Sequence, residues 1–187
     1  MNSIANALSG FLNKEGWTCT YDKDSRSFGF DIFARGIIKV VHFNIVIGDA
    51  DYTVMVSPKL VADASDEDMK TSLEAFFEMI KGGYGDGDFF IDDGGNVVYK
   101  MVVDCSSSEL TDDVMRRSIY SPILTFERYG AGISAIILTN KSADSAYEDC
   151  KKLSNTFLHF DNLDGDDIRL FNSIVRLLQK KTDMYPE

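Results

Sequence analysis

The sequence predicts an α+β fold: a curved antiparallel sheet of five to six strands flanked by helices, with a helical C-terminal extension. Three observations carry this reading. Apolar residues recur at helical spacing in residues 3–14, alternate strictly through residues 17–58, and return to helical spacing in residues 69–80. Clusters of Gly, Asp and Ser punctuate the alternating stretch, as turns between strands do. After Asn140 the chain becomes charged and helical in pattern.

The first helix is written by Ile4, Leu8, Phe11 and Leu12, and Gly16 stops it. The meander follows. Phe28, Phe30 and Ile32 alternate with Gly29, Asp31 and Phe33. Val41, Phe43, Ile45 and Ile47 alternate with Val40, His42, Asn44 and Val46, and Tyr52, Val54 and Val56 with Thr53, Met55 and Ser57. The separating turns make this three or four antiparallel strands. Ser65 opens a capping box for a helix carrying Met69, Leu73, Phe76, Phe77 and Ile80, which Gly82 and Gly83 end. Asp88–Asp92 and Asn96–Asp104 then read as a hairpin about Asp93-Gly94-Gly95. Thr111 caps a long helical stretch with Asp112 and Asp113 at its positive end. Pro122 is expected to kink or divide that stretch, and Gly130 and Gly132 to break it. The domain is expected to span residues 1–141 and the extension 142–187, with one helix over 142–153 and a second capped by Asp164.

Composition narrows the function. A chain of 187 residues buries roughly 70% of the surface its unfolded form exposes, so it needs no disulfide or metal to fold. The formal net charge of −11 sets the chain against phosphate backbones and anionic lipid, which argues against nucleic-acid and membrane partners. Cys19, Cys105 and Cys150 are odd in number and lack metal-ligand spacing, which reads as reduced thiols in a cytoplasmic protein. The first residues lack the basic and long apolar regions of a secretory leader, and no apolar run approaches the ~20 residues of a membrane span.

The order of elements, together with three stretches, resembles a family. The stretches are Leu12-Asn-Lys-Glu-Gly-Trp17, Phe90-Ile-Asp-Asp-Gly-Gly-Asn-Val-Val-Tyr99, and Leu110-Thr-Asp-Asp-Val114 with Glu127-Arg-Tyr-Gly130. They are similar to the YbjN-like bacterial proteins, described as sensory transduction regulators, whose fold resembles that of type III secretion chaperones. The likeness covers about residues 1–141. It departs at Gly82–Asp88, where the family more usually carries an Asn-containing link, and it leaves the tail from 142 outside. It implies a chaperone- or adaptor-like protein-binding role, often as a homodimer, and brings no catalytic residues with it.

The polar residues point the same way. His42 sits mid-strand in phase with Asn44, without a visible partner cluster, and reads as a hydrogen-bonded sheet residue rather than a general base or ligand. His159 reads as a loop residue. Gly82-Gly-Tyr-Gly-Asp-Gly87 lies between helix and strand, the reverse of a phosphate loop, and Asp86 and Asp88 would repel phosphate. Gly130-Ala-Gly-Ile-Ser-Ala135 follows a helix, which is the wrong setting for dinucleotide binding. Calcium loops centred on Gly94 or Gly165 would begin at Phe89 or Phe160, where a carboxylate is required. No catalytic, cofactor or metal site is expected.

What remains is an apolar pattern. The second sheet face carries Phe33, Val40, His42, Val46 and Met55, with Phe90 beside them, and a half-apolar face must be covered or used. The C-terminal stripe of Ile168, Phe171, Ile174, Val175 and Leu178 could cover it, as could a second subunit or a client. Phe33, His42, Met55, Ile168, Phe171, Ile174, Val175 and Leu178 are therefore the expected partner-binding residues of a non-catalytic protein-binding module. Two other readings stay open. One is a protein or enzyme that holds a divalent metal or small ligand through Asp86, Asp88, Asp92 and Asp93. The other is a structural subunit of a larger complex.

Overall fold

Burial alternates residue by residue along the strands, and that alternation builds a sheet with one dry face. The computed structural model describes residues 3–17, 19–63, 65–83, 85–106 and 110–157. Helix α1 (Ser3–Lys14) leads into β1 (Thr20–Asp22), β2 (Ser27–Phe33), β3 (Val40–Ile47) and β4 (Asp51–Pro58). Then come α2 (Glu67–Ile80), β5 (Asp88–Ile91), β6 (Val97–Asp104), α3 (Asp112–Thr139) and α4 (Ala143–Phe157). The six strands form one open antiparallel sheet in the order β1-β2-β3-β4-β6-β5. The meander of residues 17–58 is thus four strands, and the second hairpin inserts β6 beside β4 with β5 at the edge.

Local chemistry fixes the turns. In the β5–β6 hairpin Asp92 Oδ1 accepts from the backbone N–H of Gly94 at 2.9 Å and of Asn96 at 2.8 Å. Gly95 takes φ +80°, and a Cβ there would meet the Ala62 carbonyl oxygen at 2.2 Å, so only glycine fits. Gly16, at φ +78°, ends α1 as its position in the sequence indicates.

Two caps and breaks depart from expectation. The N-cap of α2 is Asp66, which accepts from Met69 N at 2.9 Å, and not Ser65. Ser65 is drawn back into the preceding turn, where its hydroxyl and its N–H both donate to Asp63 Oδ1. Either side chain can serve as a cap, and the carboxylate one position later also meets the helix's positive end.

The second departure is α3. It runs unbroken for 28 residues through Pro122, Gly130 and Gly132, and ends at Asn140 in the left-handed conformation. Pro122 costs it one backbone hydrogen bond. Burial along one continuous stripe offsets that cost: Met115, Ile119, Ile123, Phe126, Tyr129, Ile133 and Ile136 all lie in the core. The two glycines allow close approach rather than a break. A Cβ at Gly130 would press on Ile38, and one at Gly132 would meet Phe76 Cζ at 2.4 Å and Cys150 Sγ at 2.9 Å.

All four helices send side chains into the one core on the inner sheet face, where Phe28, Phe30, Val41, Phe43, Ile45, Val54 and Val56 lie buried. Helix α4, which begins past the expected boundary at 141, places Ala143, Ala146 and Cys150 in that same core. The expected second helix of the extension, with Ile168, Phe171, Ile174, Val175 and Leu178, lies outside the described residues, as does His159. The fold class and strand number are those the sequence predicts.

Gly132→Ala should therefore destabilise, by about 1–3 kcal/mol from overpacking, although alanine is the better helix former by about 1 kcal/mol. Gly10→Ala on α1, where an added Cβ meets nothing within 4 Å, should stabilise. Urea midpoints of the two variants check this. A stabilised Gly132→Ala would mean that α3 does not approach α2 and α4 as closely as described.

Candidate functional site

The outer sheet face is set by the strand register. Asp31 on β2 stands across from His42 on β3, and His42 across from Ser57 on β4. The next row runs Gly29, Asn44, Met55, Lys100 and Asp88 over five strands. The row after that runs Ser27, Val46, Thr53 and Val102. Val46, Met55 and Val102 are thus diagonal neighbours on β3, β4 and β6, near enough for side-chain contact. Phe33 and Val40 pair at the end of β2, and Phe90 pairs with Val98 on the far hairpin. Val102 is 55% exposed, Phe33 43% and Phe90 39%, and Val40, Val46 and Met55 are half-buried. The face is a mixture: an apolar strip crossed by polar and charged rows.

Its polar centre is an Asp–His pair. His42 Nδ1 lies 2.7 Å from Asp31 Oδ1, with Lys59 Nζ 3.6 Å from the other oxygen. The His42 hydrogen bond, with the Lys59 charge behind it, holds the Asp31 carboxyl below the usual range. Asp, His and Ser in one row invite comparison with a hydrolytic triad. That chemistry also needs backbone N–H groups aimed at an oxyanion. The amides beside His42 are spent in ladders to β2 on one side and β4 on the other, and the row lies on an open face. The pair is better suited to presenting a fixed polar contact amid apolar neighbours.

The acidic cluster is dispersed in the fold. Asp92 is spent on its own hairpin: Asn96, by side chain and backbone, and the Gly94 N–H hold its carboxyl low. Asp88 faces Lys81 at 3.3 Å. Asp86 and Asp93 are exposed on separate loops. Among the described residues no three His, Cys, Asp or Glu side chains are grouped to hold a metal ion. The glycine-rich loop closes over Tyr99, whose hydroxyl accepts from Gly87 N at 3.1 Å. A small cleft of about 50 Å³ remains beside it. Within the described residues no helix is long and apolar enough to cross a membrane.

Of the expected binding residues, the structure brings Phe33, His42 and Met55 onto one face, with Val40, Val46 and Phe90 beside them. Ile168, Phe171, Ile174, Val175 and Leu178 fall outside the described residues. Sequence reasoning missed Val102, the most exposed apolar residue of the face, and its neighbour Lys100. Their strand is apolar at 97, 98, 99, 101, 102 and 103, so simple alternation does not say which side faces out. Comparison with known proteins finds no family model that matches the chain and no matching curated protein.

One contact between the sheet and α3 positions the rim of this face. The Glu127 carboxylate on α3 accepts from Arg35 N at 2.8 Å, just past Phe33, and a Cβ at Gly36 would press on the Glu127 backbone. Burial pushes the Glu127 carboxyl above its usual range, opposed by the Arg35 N–H and the Arg35 charge. The fold therefore disfavours the ionised form relative to the unfolded chain. The neutral carboxyl's contribution to stability is complete below the unfolded-chain value of about 4.3 and is lost as pH rises through the folded value. Glu127→Gln keeps an acceptor for Arg35 N and removes the charge. Its stability relative to the parent should rise between pH 4 and pH 7 in chemical denaturation, and a fall over that window would contradict the assignment.

Proposed function

We propose that this chain is a non-catalytic protein-binding module, chaperone- or adaptor-like, and that its docking surface is the outer sheet face. One observation carries the reading. Val102 is exposed beside a half-buried strip of Val46 and Met55, and Phe33 and Phe90 are exposed in rows beyond it, on a face that none of the described helices covers by its core packing. Apolar residues grouped with a few fixed polar ones are what a protein interface offers. The Asp31–His42 pair supplies such a contact, and the net charge of −11 would steer basic partners toward the molecule.

The sequence likeness to YbjN-like proteins and secretion chaperones supports the same role and suggests a homodimer. The dispersal of the carboxylates gives the metal or enzyme reading little footing. Cys19, Cys105 and Cys150 are all free, in keeping with a reducing, cytoplasmic setting. A permanent structural subunit differs from an adaptor in stoichiometry: tight co-purification at a fixed ratio would favour the subunit.

The test is a crosslinking pull-down with the full chain as bait, beside the double variant Phe33→Asp/Val102→Asp. The variant should lose partner capture by about tenfold or more, equivalent to ~1.4 kcal/mol of binding, while melting like the parent. Undiminished capture by the variant would place the docking surface elsewhere.

A further inference from the structure

The sheet has two edges, and β5 forms one of them. The hairpin fixes which backbone groups of β5 face outward. Asp92 N donates to Asn96 O, so these two residues are a hydrogen-bonded pair of the β5–β6 ladder. Such pairs alternate with non-bonded ones along an antiparallel ladder. In the observed register the next bonded pairs are Phe90 with Val98 and Asp88 with Lys100. Phe89 and Ile91 therefore turn their N–H and C=O groups away from β6. Among the described residues those groups have no hydrogen-bond partner. Apolar side chains stand beside them: Phe90 is exposed on the outer face, and Ile91 is half-buried on the inner one. An unpaired edge of this kind is a template for one more strand.

Charge decides which strand. Asp86 precedes β5, Asp88 opens it, and Asp92 and Asp93 follow it. Asp88 is met by Lys81, and Asp92 holds its own hairpin. Asp86 and Asp93 stay exposed, one beyond each end of the strand, with no ion-pair partner among the described residues. A second copy of this chain fits poorly. The antiparallel register that uses both Phe89 and Ile91 sets Asp88 of each copy opposite Asp92 of the other, and like charges directly opposite destabilise a pair. The same carboxylates favour a strand of opposite sign. From Asp88 to Asp92 is about 14 Å of extended chain. A strand of equal length with cations at both ends brings each end to a carboxylate. The other edge makes no such selection: β1 spans Thr20–Asp22, and Lys23 and Arg26 follow it together with Asp24.

We infer that the β5 edge accepts an extended, basic segment of a partner protein as a seventh strand of the sheet. Backbone pairing with Phe89 and Ile91 sets its register. Phe90 and Ile91 supply apolar contact, and the carboxylates at the two ends select Lys and Arg. The edge chemistry stands on the geometry of β5. That the natural occupant belongs to a protein rests on the protein-binding reading above.

The test uses the ¹⁵N-labelled full chain and the peptide Lys-Lys-Val-Val-Val-Lys-Lys, capped at both ends. Amide exchange in the protein alone should be fast at Phe89 and Ile91 and slow at Phe90, whose N–H is tied to β6. Saturating peptide should slow Phe89 and Ile91 by about tenfold or more. N-methylation of the first and third valines removes the two N–H groups that would face β5. It should weaken binding by about tenfold or more, and so should replacing every lysine with glutamate. Asp86→Lys/Asp93→Lys should reverse the preference between the lysine and glutamate peptides. Phe89 and Ile91 amides already as slow as Phe90 in the protein alone would mean that the rest of the chain or a second copy holds the edge, and would overturn the inference. So would no binding, equal binding of the N-methylated peptide, or binding that leaves both amides unprotected. The two readings fail separately. Loss of partner capture in Phe33→Asp/Val102→Asp without peptide binding removes the edge alone. A protected edge with capture intact in that variant removes the outer face as the docking surface and leaves the edge standing.

Discussion

The architecture depends on how closely α3 can be approached. This helix lies against β4 and β6 on the sheet side and meets α1, α2 and α4 on its other sides. Gly132 makes the approach possible, since the space a side chain would need is held by Phe76 of α2 and Cys150 of α4. Gly130 does the same for Ile38 in the β2–β3 loop. Phe89, Phe126, Phe77 and Tyr99 then interlock by edge and face contacts where α2, α3 and the hairpin meet. The helices are thereby collected on one side of the sheet.

From that follows the division of the sheet into a buried face and an exposed one. A sheet residue points either into the layer or away from it. The inward set is apolar and buried, and its buried phenols are satisfied: the Tyr52 hydroxyl donates to Ser118 Oγ at 2.9 Å, the Tyr99 hydroxyl accepts from Gly87 N at 3.1 Å, and burial pushes the Tyr52 phenol up to about 12. The outward set answers to a different requirement. Asp31, His42, Lys59 and Lys100 keep the face wetted, while Val102, Phe33 and Phe90 give an occupant something to bury.

Much of this was legible in the sequence, for identifiable reasons. The strands of the meander alternate cleanly because one face is dry, so Phe28, Phe30, Val41, Phe43 and Val54 declared the inner face and Phe33, His42 and Met55 the outer one. Asp93-Gly94-Gly95 announced its hairpin through chemistry local to five residues. The misreadings came where tertiary packing overrides local preference. Pro122, Gly130 and Gly132 carry the marks of a helix break, yet α3 continues because its neighbours fill the surface around it. Asp66 displaced Ser65 as cap because Asp63 claimed the serine. Val102 was hidden in a strand apolar in both phases.

The central claim is that this sheet is one-sided: its inner face holds the fold and its outer face does not. The most direct test compares the urea unfolding of Val54→Asp and Val102→Asp, which place the same charge on opposite faces of neighbouring strands. The account predicts a loss of about 3 kcal/mol or more for Val54→Asp, where the carboxylate would be buried and unpaired. For Val102→Asp it predicts a change within about 1 kcal/mol. If Val102→Asp unfolds the protein as readily as Val54→Asp, the outer face is a second core and the account fails.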